Sequence, residues 1–544
     1  MPELNRIIDS YYHAWFRFNP ETAVDVGVPG YAHLLQPYGD DDVGAQAVLH
    51  EKLLDALDEV SDTECSTDQS IDIALLRGQA VLALKQHATW DWRQRDPLRF
   101  VPVNAIYQLM VRPVDDFDTA MQQRLEAIPA YLRGARRHLQ SAPELIPAVW
   151  LESAILEAEH GAEYFRQIRT EPRISRAGVE QGLTEAAEAL EAFARFLQTE
   201  IGQRAQGDFA CGRELFDLTL QQRHFLDATA DDLHRLGERL YADTERQLKD
   251  VTQQLRGDTD IAAMTRQLHQ HKLTAANLLE QYQRGMQDAY AFLQQHDLVT
   301  LPTSQHLEVV ATPEFLRHQI PFAAYMEPVP GDPRQKGLYY VTIPDNAEDL
   351  QEHYPQSIAH TCVHEAWPGH HLQFVTANQS PISSSLPRLL NPSATLYEGW
   401  ALYCEQLMQE QGFLHHPESA FVLLKDRLWR ALRIMLDVEL HTWRLSLDAA
   451  AARMQATLGM SRQQAMADLR WYSHAPTVPM GYATGWALIN ASRSRLQASQ
   501  QDFNLKDFHD ALIADGSIAL PLVLRQRFGE PLWHSVHREV FKNS

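Results

Sequence analysis

The sequence predicts a mainly α-helical protein with one small β-sheet just ahead of a histidine-rich helical stretch. Three observations carry that expectation. Apolar residues recur three and four apart, as in "IDIALLRGQAVLALKQHA" (71–88) and "GLTEAAEALEAFARFLQTEI" (182–201), which is the period of a helix with one buried face. Ala, Leu, Gln, Glu and Arg dominate these stretches, and all are good helix formers. Proline then concentrates: seven of the 28 lie within residues 301–344, too many for long helices.

In chain order, residues 1–300 read as a helical scaffold region without a fixed-period repeat. Residues 301–345 read as a small β-sheet region. Here "LEVVAT", "PFAAYMEP" and "GLYYVTIP" are short apolar or aromatic runs between prolines and glycines, the mark of strands. Residues 346–544 return to the helical period, and the three regions are expected to form one integrated globular unit. An extended substrate can pair with a strand edge, and "LYYVTI" is the candidate for that edge, with a plain structural hairpin as the alternative.

Composition narrows the classes. Hydrophobic content is 45% and charged content 22%, which excludes wholesale disorder. A net charge of -23 argues against a nucleic-acid or anionic-membrane partner. The four cysteines, Cys65, Cys211, Cys362 and Cys404, form no C-x-x-C and no dense framework, which suits a reducing compartment. The opening "MPELNRIIDSYYHAWFRFNP" lacks the regions of a signal peptide. No apolar run approaches the roughly 20 residues needed to span a bilayer. A cytoplasmic location is the expectation.

The chemistry concentrates in "HTCVHEAWPGHHLQ" (360–373). Two histidines at i and i+4 of a helix chelate zinc in H-E-x-x-H, with the glutamate as base. Here Pro368 stands in the second histidine's place. On a regular helix His364 and His370 are separated by about 600° of rotation, and His364 and His371 by about 10.5 Å of rise; neither pair chelates. Pro368 cannot donate to the carbonyl of His364, and Gly369 accepts unusual backbone angles. If these two residues are looped out, His370 falls where i+4 would be and Glu365 keeps its place beside the open metal position. The rivals are a plain His360/His364 pair, His371 in place of His370, a 2-His-1-carboxylate iron site, and a histidine cluster without metal.

A third ligand is expected on a facing helix. "NPSATLYEGWALYCEQLMQEQG" (391–412) has Asn391 and Pro392 at its start and Gly412 at its stop. Glu398 and Glu405 share a face. Glu398 sits among Tyr397, Gly399 and Trp400, where a buried carboxylate needs a partner such as a metal. Glu405 suits a ring N–H of a ligand histidine, or solvent.

"RLWRALRIMLDVELHTWRLS" (427–446) reads as one helix with Arg433, Asp437 and His441 on one face and Asp437 and Arg444 at i, i+7. These form either a polar cleft lining or ordinary surface pairs. Tyr482 lies in a Pro/Gly-rich loop, where its phenol either donates to an oxyanion or simply packs. Arg493 and Arg495 are candidates to hold a substrate carboxylate.

"HEAWPGHHLQ" followed by "YEGWALYCE" resembles the bacterial domain-of-unknown-function 885 family, grouped with zincin-like metallopeptidases. "RWYSHAPTVPMGYATG" and "DFHDALIADGSIALPLVL" are similar to its later segments, and Val478–Pro479 departs from its pattern, which has Gln-Ala there. The resemblance implies a large, mostly helical gluzincin with Zn2+ at His364, His370 and Glu398, and Glu365 as base. The expected function is cleavage of peptide or similar amide bonds in short peptides, with Tyr482 assisting catalytically. The alternative is a non-catalytic helical interaction module with a structural metal site.

Overall fold

Helices account for most of the described chain, as the apolar period requires. The structure is a computed structural model and describes residues 2–61, 65–270 and 273–542. It falls into two compact units. One comprises Met1–Phe209 with Pro313–Gln319 and Val329–Asp332; the other comprises Ala210–Thr312, Ile320–Pro328 and Pro333–Ser544. The helical region expected to reach residue 300 thus contributes to both.

The first unit is built on the helices Asp40–Asp58, Thr67–Thr89, Phe117–Ser141, Ala148–Gln167 and Glu180–Phe196. The two stretches singled out by their period both lie on them; the second runs on to Ile201 as a wider turn. Thr67–Thr89 starts where local chemistry dictates. Ser66 Oγ accepts from Gln69 N (3.3 Å) while Gln69 Oε1 accepts from Ser66 N (3.0 Å), satisfying two helix-end donors reciprocally. The apolar faces bury Leu125, Phe165, Leu190 and Phe193 almost completely.

Every candidate site residue lies in the second unit. Its longest helices are Ala230–Arg256 and Pro417–Thr442. The three apolar runs between prolines are strands: β1 (His306–Ala311), β2 (Ala323–Met326) and β3 (Lys336–Val341). Their order is β1-β3-β2, with β3 parallel to β1 and antiparallel to β2. The run "LYYVTI" therefore begins in the central strand, with a neighbour on both sides, and offers no edge to a substrate. Which strand is central depends on a parallel crossover, and alternation of side chains along one strand does not encode it. The sheet packs on the helix Pro355–Glu365: Tyr339 is fully buried and its hydroxyl lies 3.9 Å from Cys362 Sγ.

Candidate metal centre

The histidine stretch is two helices with a break between them. Pro355–Glu365 ends one residue past His364, and the next helix, His370–Asn378, begins at His370. In the gap, hydrogen bonds that span four residues in a helix span five or six. Trp367 N donates to Cys362 O (3.1 Å), Gly369 N to Val363 O (3.0 Å) and Leu372 N to Ala366 O (3.4 Å). Two residues are thus inserted into the turn, as Pro368 and Gly369 suggest, but the helix stops and restarts instead of bulging. The Trp367–Pro368 peptide is cis, and Trp400 Nε1 donates to the Pro368 carbonyl (2.8 Å).

Gly369 is required by contact. A Cβ there would lie 1.8 Å from His364 O and 2.4 Å from Val363 O, and backbone atoms cannot yield as a side-chain tip can. Gly369→Ala is expected to cost about 1–3 kcal/mol, the range for overpacking. It should also weaken metal binding by moving His370. Denaturant midpoints with and without metal check both.

The break turns His370 back toward His364. Their Nε2 atoms each lie 3.4 Å from Glu398 Oε2, and the three donor atoms lie within 4.8 Å of one another. Donors placed tetrahedrally about 2.0–2.2 Å from a zinc ion are about 3.3–3.6 Å apart, so the two 3.4 Å edges fit such an ion. Glu398 Oε2 is buried and makes no hydrogen bond, an unfavourable state that a cation would relieve. Burial raises the Glu398 carboxyl, but His370 and His364 outweigh it and hold it well below the usual range. Burial lowers the His364 imidazole, but Glu398 and Glu405 outweigh it and raise it to about 10.

The surroundings of these and the neighbouring histidines differ. His364 Nδ1 donates to Glu405 Oε1 (2.8 Å), the support expected of Glu405. His360, one turn earlier, is buried with Nδ1 3.8 Å from Glu405 Oε2 and lies outside the group of three. His371 Nδ1 meets the Tyr325 hydroxyl (3.0 Å) and its Nε2 meets Gln305 Oε1 (3.1 Å). His370 Nδ1 has no hydrogen-bond partner. Outer partners of this kind typically contribute 10- to 100-fold to metal affinity. Glu405→Gln should weaken binding by that factor in a chelator competition.

Glu365 is the last residue of its helix and partly exposed. Burial raises its carboxyl, opposed by His364 and His370. Tyr482 lies in the first turn of the helix Gly481–Ser499, not in the loop expected from its Pro/Gly-rich surroundings. Its ring is 6.2 Å from that of His364, with planes 16° apart, and the Arg433 guanidinium carbon is 4.6 Å from its centre. Burial, then the Glu398 carboxylate, raises its phenol well above the usual value. A close helix approach brings it there. A Cβ on Gly485 would lie 2.0 Å from Thr395 O and 2.7 Å from Gly399 Cα, so the helix Ala394–Glu410 and that of Tyr482 touch backbone to backbone.

The loop before Tyr482 is tied down from beneath. Asp437 accepts from Thr477 N (3.1 Å) and Met480 N (3.0 Å); burial pushes its carboxyl up to about 8 against those two bonds. His224 bridges Ser393 Oγ (2.8 Å) and Thr477 Oγ1 (3.0 Å). Val478 O accepts from Gly481 N (2.9 Å), so the departure from the family pattern falls in a turn. Arg433 Nε donates to the Tyr472 hydroxyl (2.7 Å) and His441 Nε2 meets Tyr472 O (2.9 Å). The face Arg433–Asp437–His441 is thus a set of ties to these neighbours. Arg444 lies past the end of that helix at Thr442, so the expected Asp437–Arg444 face does not form. Arg493 pairs with Glu410 (2.6 Å) and Arg495 with Glu539 (2.5 Å), which leaves neither turned to the centre. Sequence reasoning missed Arg430, whose charge acts on Glu365, Glu405 and Tyr482 together. It also missed His224. No local pattern marks either residue.

Comparison with known proteins shows a shared fold. The structure of a candidate lipoprotein of unknown function from Shewanella oneidensis is alike with a TM-score of 0.78 at 21% identity, over 97% of this chain and 100% of that one. A candidate lipoprotein from Colwellia psychrerythraea is alike with a TM-score of 0.80 at 17% identity, over 99% of each chain. A Pyrococcus furiosus carboxypeptidase is alike only loosely, with a TM-score of 0.44 at 11% identity over 99% of this chain and 98% of that one. No curated protein matches the chain. The expected cytoplasmic location is overturned by the first two findings, because both of those proteins are candidate lipoproteins. Cysteine spacing misled here, since four free cysteines are tolerated on either side of a membrane. No helix among the described residues is long and apolar enough to cross one. The family model described as bacterial protein of unknown function (DUF885) matches residues 20–527, and the chain belongs to that family.

Proposed function

We propose that the protein is a zinc-dependent hydrolase that cleaves peptide or similar amide bonds of short peptides. The observation that carries this reading is the group His364, His370 and Glu398, with two 3.4 Å donor separations and a buried carboxylate oxygen left without a hydrogen bond. Two imidazoles and one carboxylate are a ligand set of catalytic zinc, which keeps a fourth position open. A zinc ion held there supplies a Lewis acid that polarises a carbonyl and acidifies water. Glu365 takes a proton from the attacking water and passes it to the leaving nitrogen. Glu405 fixes the His364 ring through Nδ1. The reading as a non-catalytic module is disfavoured, because a structural zinc site takes four protein donors and the group found among the described residues has three.

Metal analysis of the purified protein, joined to a peptide-library digest read by mass spectrometry, tests the proposal. It expects about one zinc per chain and cleavage that a chelator abolishes. Protein that binds no transition metal when supplied with one overturns it.

Tyr482 is assigned to the oxyanion. Tyr482→Phe keeps the ring beside His364 and loses only the hydroxyl. The expected result is a fall in kcat on the order of 10²-fold or more, as for loss of one oxyanion donor, with KM nearly unchanged. A kcat within about twofold of wild type, a negligible change in barrier, would return the residue to a packing role.

A further inference from the structure

Beside His370 the second unit carries three aromatic rings that the chemistry above does not use. Phe374 follows His370 by four residues, one turn along the same helix, and its ring is 6.1 Å from the imidazole. Tyr397 directly precedes Glu398; its ring is 6.3 Å from that of His370 and 6.1 Å from that of Phe374. Tyr325 comes from β2, with its ring 6.2 Å from that of His370, planes 21° apart, and 6.0 Å from that of Phe374. Three separate elements thus bring aromatic faces to one ligand histidine.

All three residues are only partly buried, although the fold has fully buried places for Tyr339, Trp400 and Tyr403. The ring of Tyr325 is also held. Its hydroxyl bonds to His371 Nδ1 (3.0 Å), and His371 Nε2 bonds to Gln305 Oε1 (3.1 Å). The Gln305 carbonyl accepts from Nε2–H, which leaves Nδ1 to accept from the tyrosine. Behind this junction β3 passes close: a Cβ on Gly337 would lie 2.9 Å from the Tyr325 ring and 3.0 Å from His371 Nδ1. The ring is therefore anchored at its hydroxyl and backed by the strand, a preorganised wall. Rings so placed favour an apolar occupant with a flat face.

We propose that Tyr325, Phe374 and Tyr397 form the specificity pocket of this site, taking an aromatic or large apolar side chain on the residue next to the cleaved bond. The proposal rests on the peptidase reading and adds its substrate class. It also assigns His371 a positioning role: it holds Tyr325 and does not touch substrate.

The test compares two metal-directed probes on the zinc-loaded full chain by calorimetry, L-phenylalanine hydroxamate and L-alanine hydroxamate. They share the chelating group and differ only in the side chain that would enter the pocket. The expected result is tighter binding of the phenylalanine probe, on the order of 10- to 100-fold, the range of hydrophobic-pocket discrimination. Phe374→Ala should bring the ratio to within about twofold of unity with zinc content retained. Tyr325→Phe, which keeps the ring and removes the hydroxyl bonded to His371 Nδ1, should reduce the ratio part of the way. Equal affinity of the two probes for the wild type overturns the pocket while leaving the metal centre standing. So does an unchanged ratio in a zinc-loaded Phe374→Ala. If that variant does not fold, the wild-type ratio and Tyr325→Phe decide. Binding of neither probe to zinc-loaded protein overturns the hydrolase reading, and the pocket with it.

Discussion

Glu365→Gln is expected to bind zinc as the wild type does and to cleave peptides about 10²- to 10⁴-fold more slowly, the usual contribution of a positioned general base. The side chain follows His364 directly in the chain and lies outside the group of three donors. Gln is nearly the same size but cannot accept a proton. Burial raises the Glu365 carboxyl, against the opposite pull of His364 and His370. Metal content and single-turnover cleavage of one verified peptide separate the two effects. Full activity in the variant would remove Glu365 from the mechanism.

His370→Ala should lose zinc altogether, with activity falling to background, whereas His360→Ala should keep both. His370 Nε2 is one of the two nitrogens 3.4 Å from Glu398 Oε2, so its removal leaves two donors. His360 faces Glu405 at 3.8 Å and can act only through that residue's hold on His364. Elemental analysis of the two variants side by side decides. Zinc retained by His370→Ala and lost by His360→Ala would move the centre to the unbroken i, i+4 pair.

Much of this architecture is legible in the sequence. The apolar period marked the helices, the proline-bounded runs marked all three strands, and Pro368–Gly369 marked the place where the ladder widens by two residues. Those features are local. A missing N–H or a one-face stripe acts within a turn or two, and neighbouring residues report it. Even the face of Ala394–Glu410 that carries both Glu398 and Glu405 follows from spacing alone.

Other features depend on residues far apart in the chain, and only the tertiary structure decided them. Glu398 meets the two histidines while Glu405 backs one of them. That division depends on where along its length the helix crosses the histidine stretch. Tyr482 reaches His364 because Gly399 and Gly485, 86 positions apart in the numbering, let two backbones touch. β3, not an edge strand, lies in the middle of the sheet, and Tyr325 arrives beside His370 through that order. Arg433, Asp437 and His441 share a face by spacing, yet packing ties Arg433 to the Tyr472 hydroxyl, His441 to the Tyr472 carbonyl and Asp437 to the loop Thr477–Met480. Periodicity records which side of an element is buried. It is silent on which other element covers that side, because burial lowers the free energy of apolar surface whatever the partner. The partner is selected by close packing between elements, where a missing Cβ or a single buried hydrogen bond sets the distance.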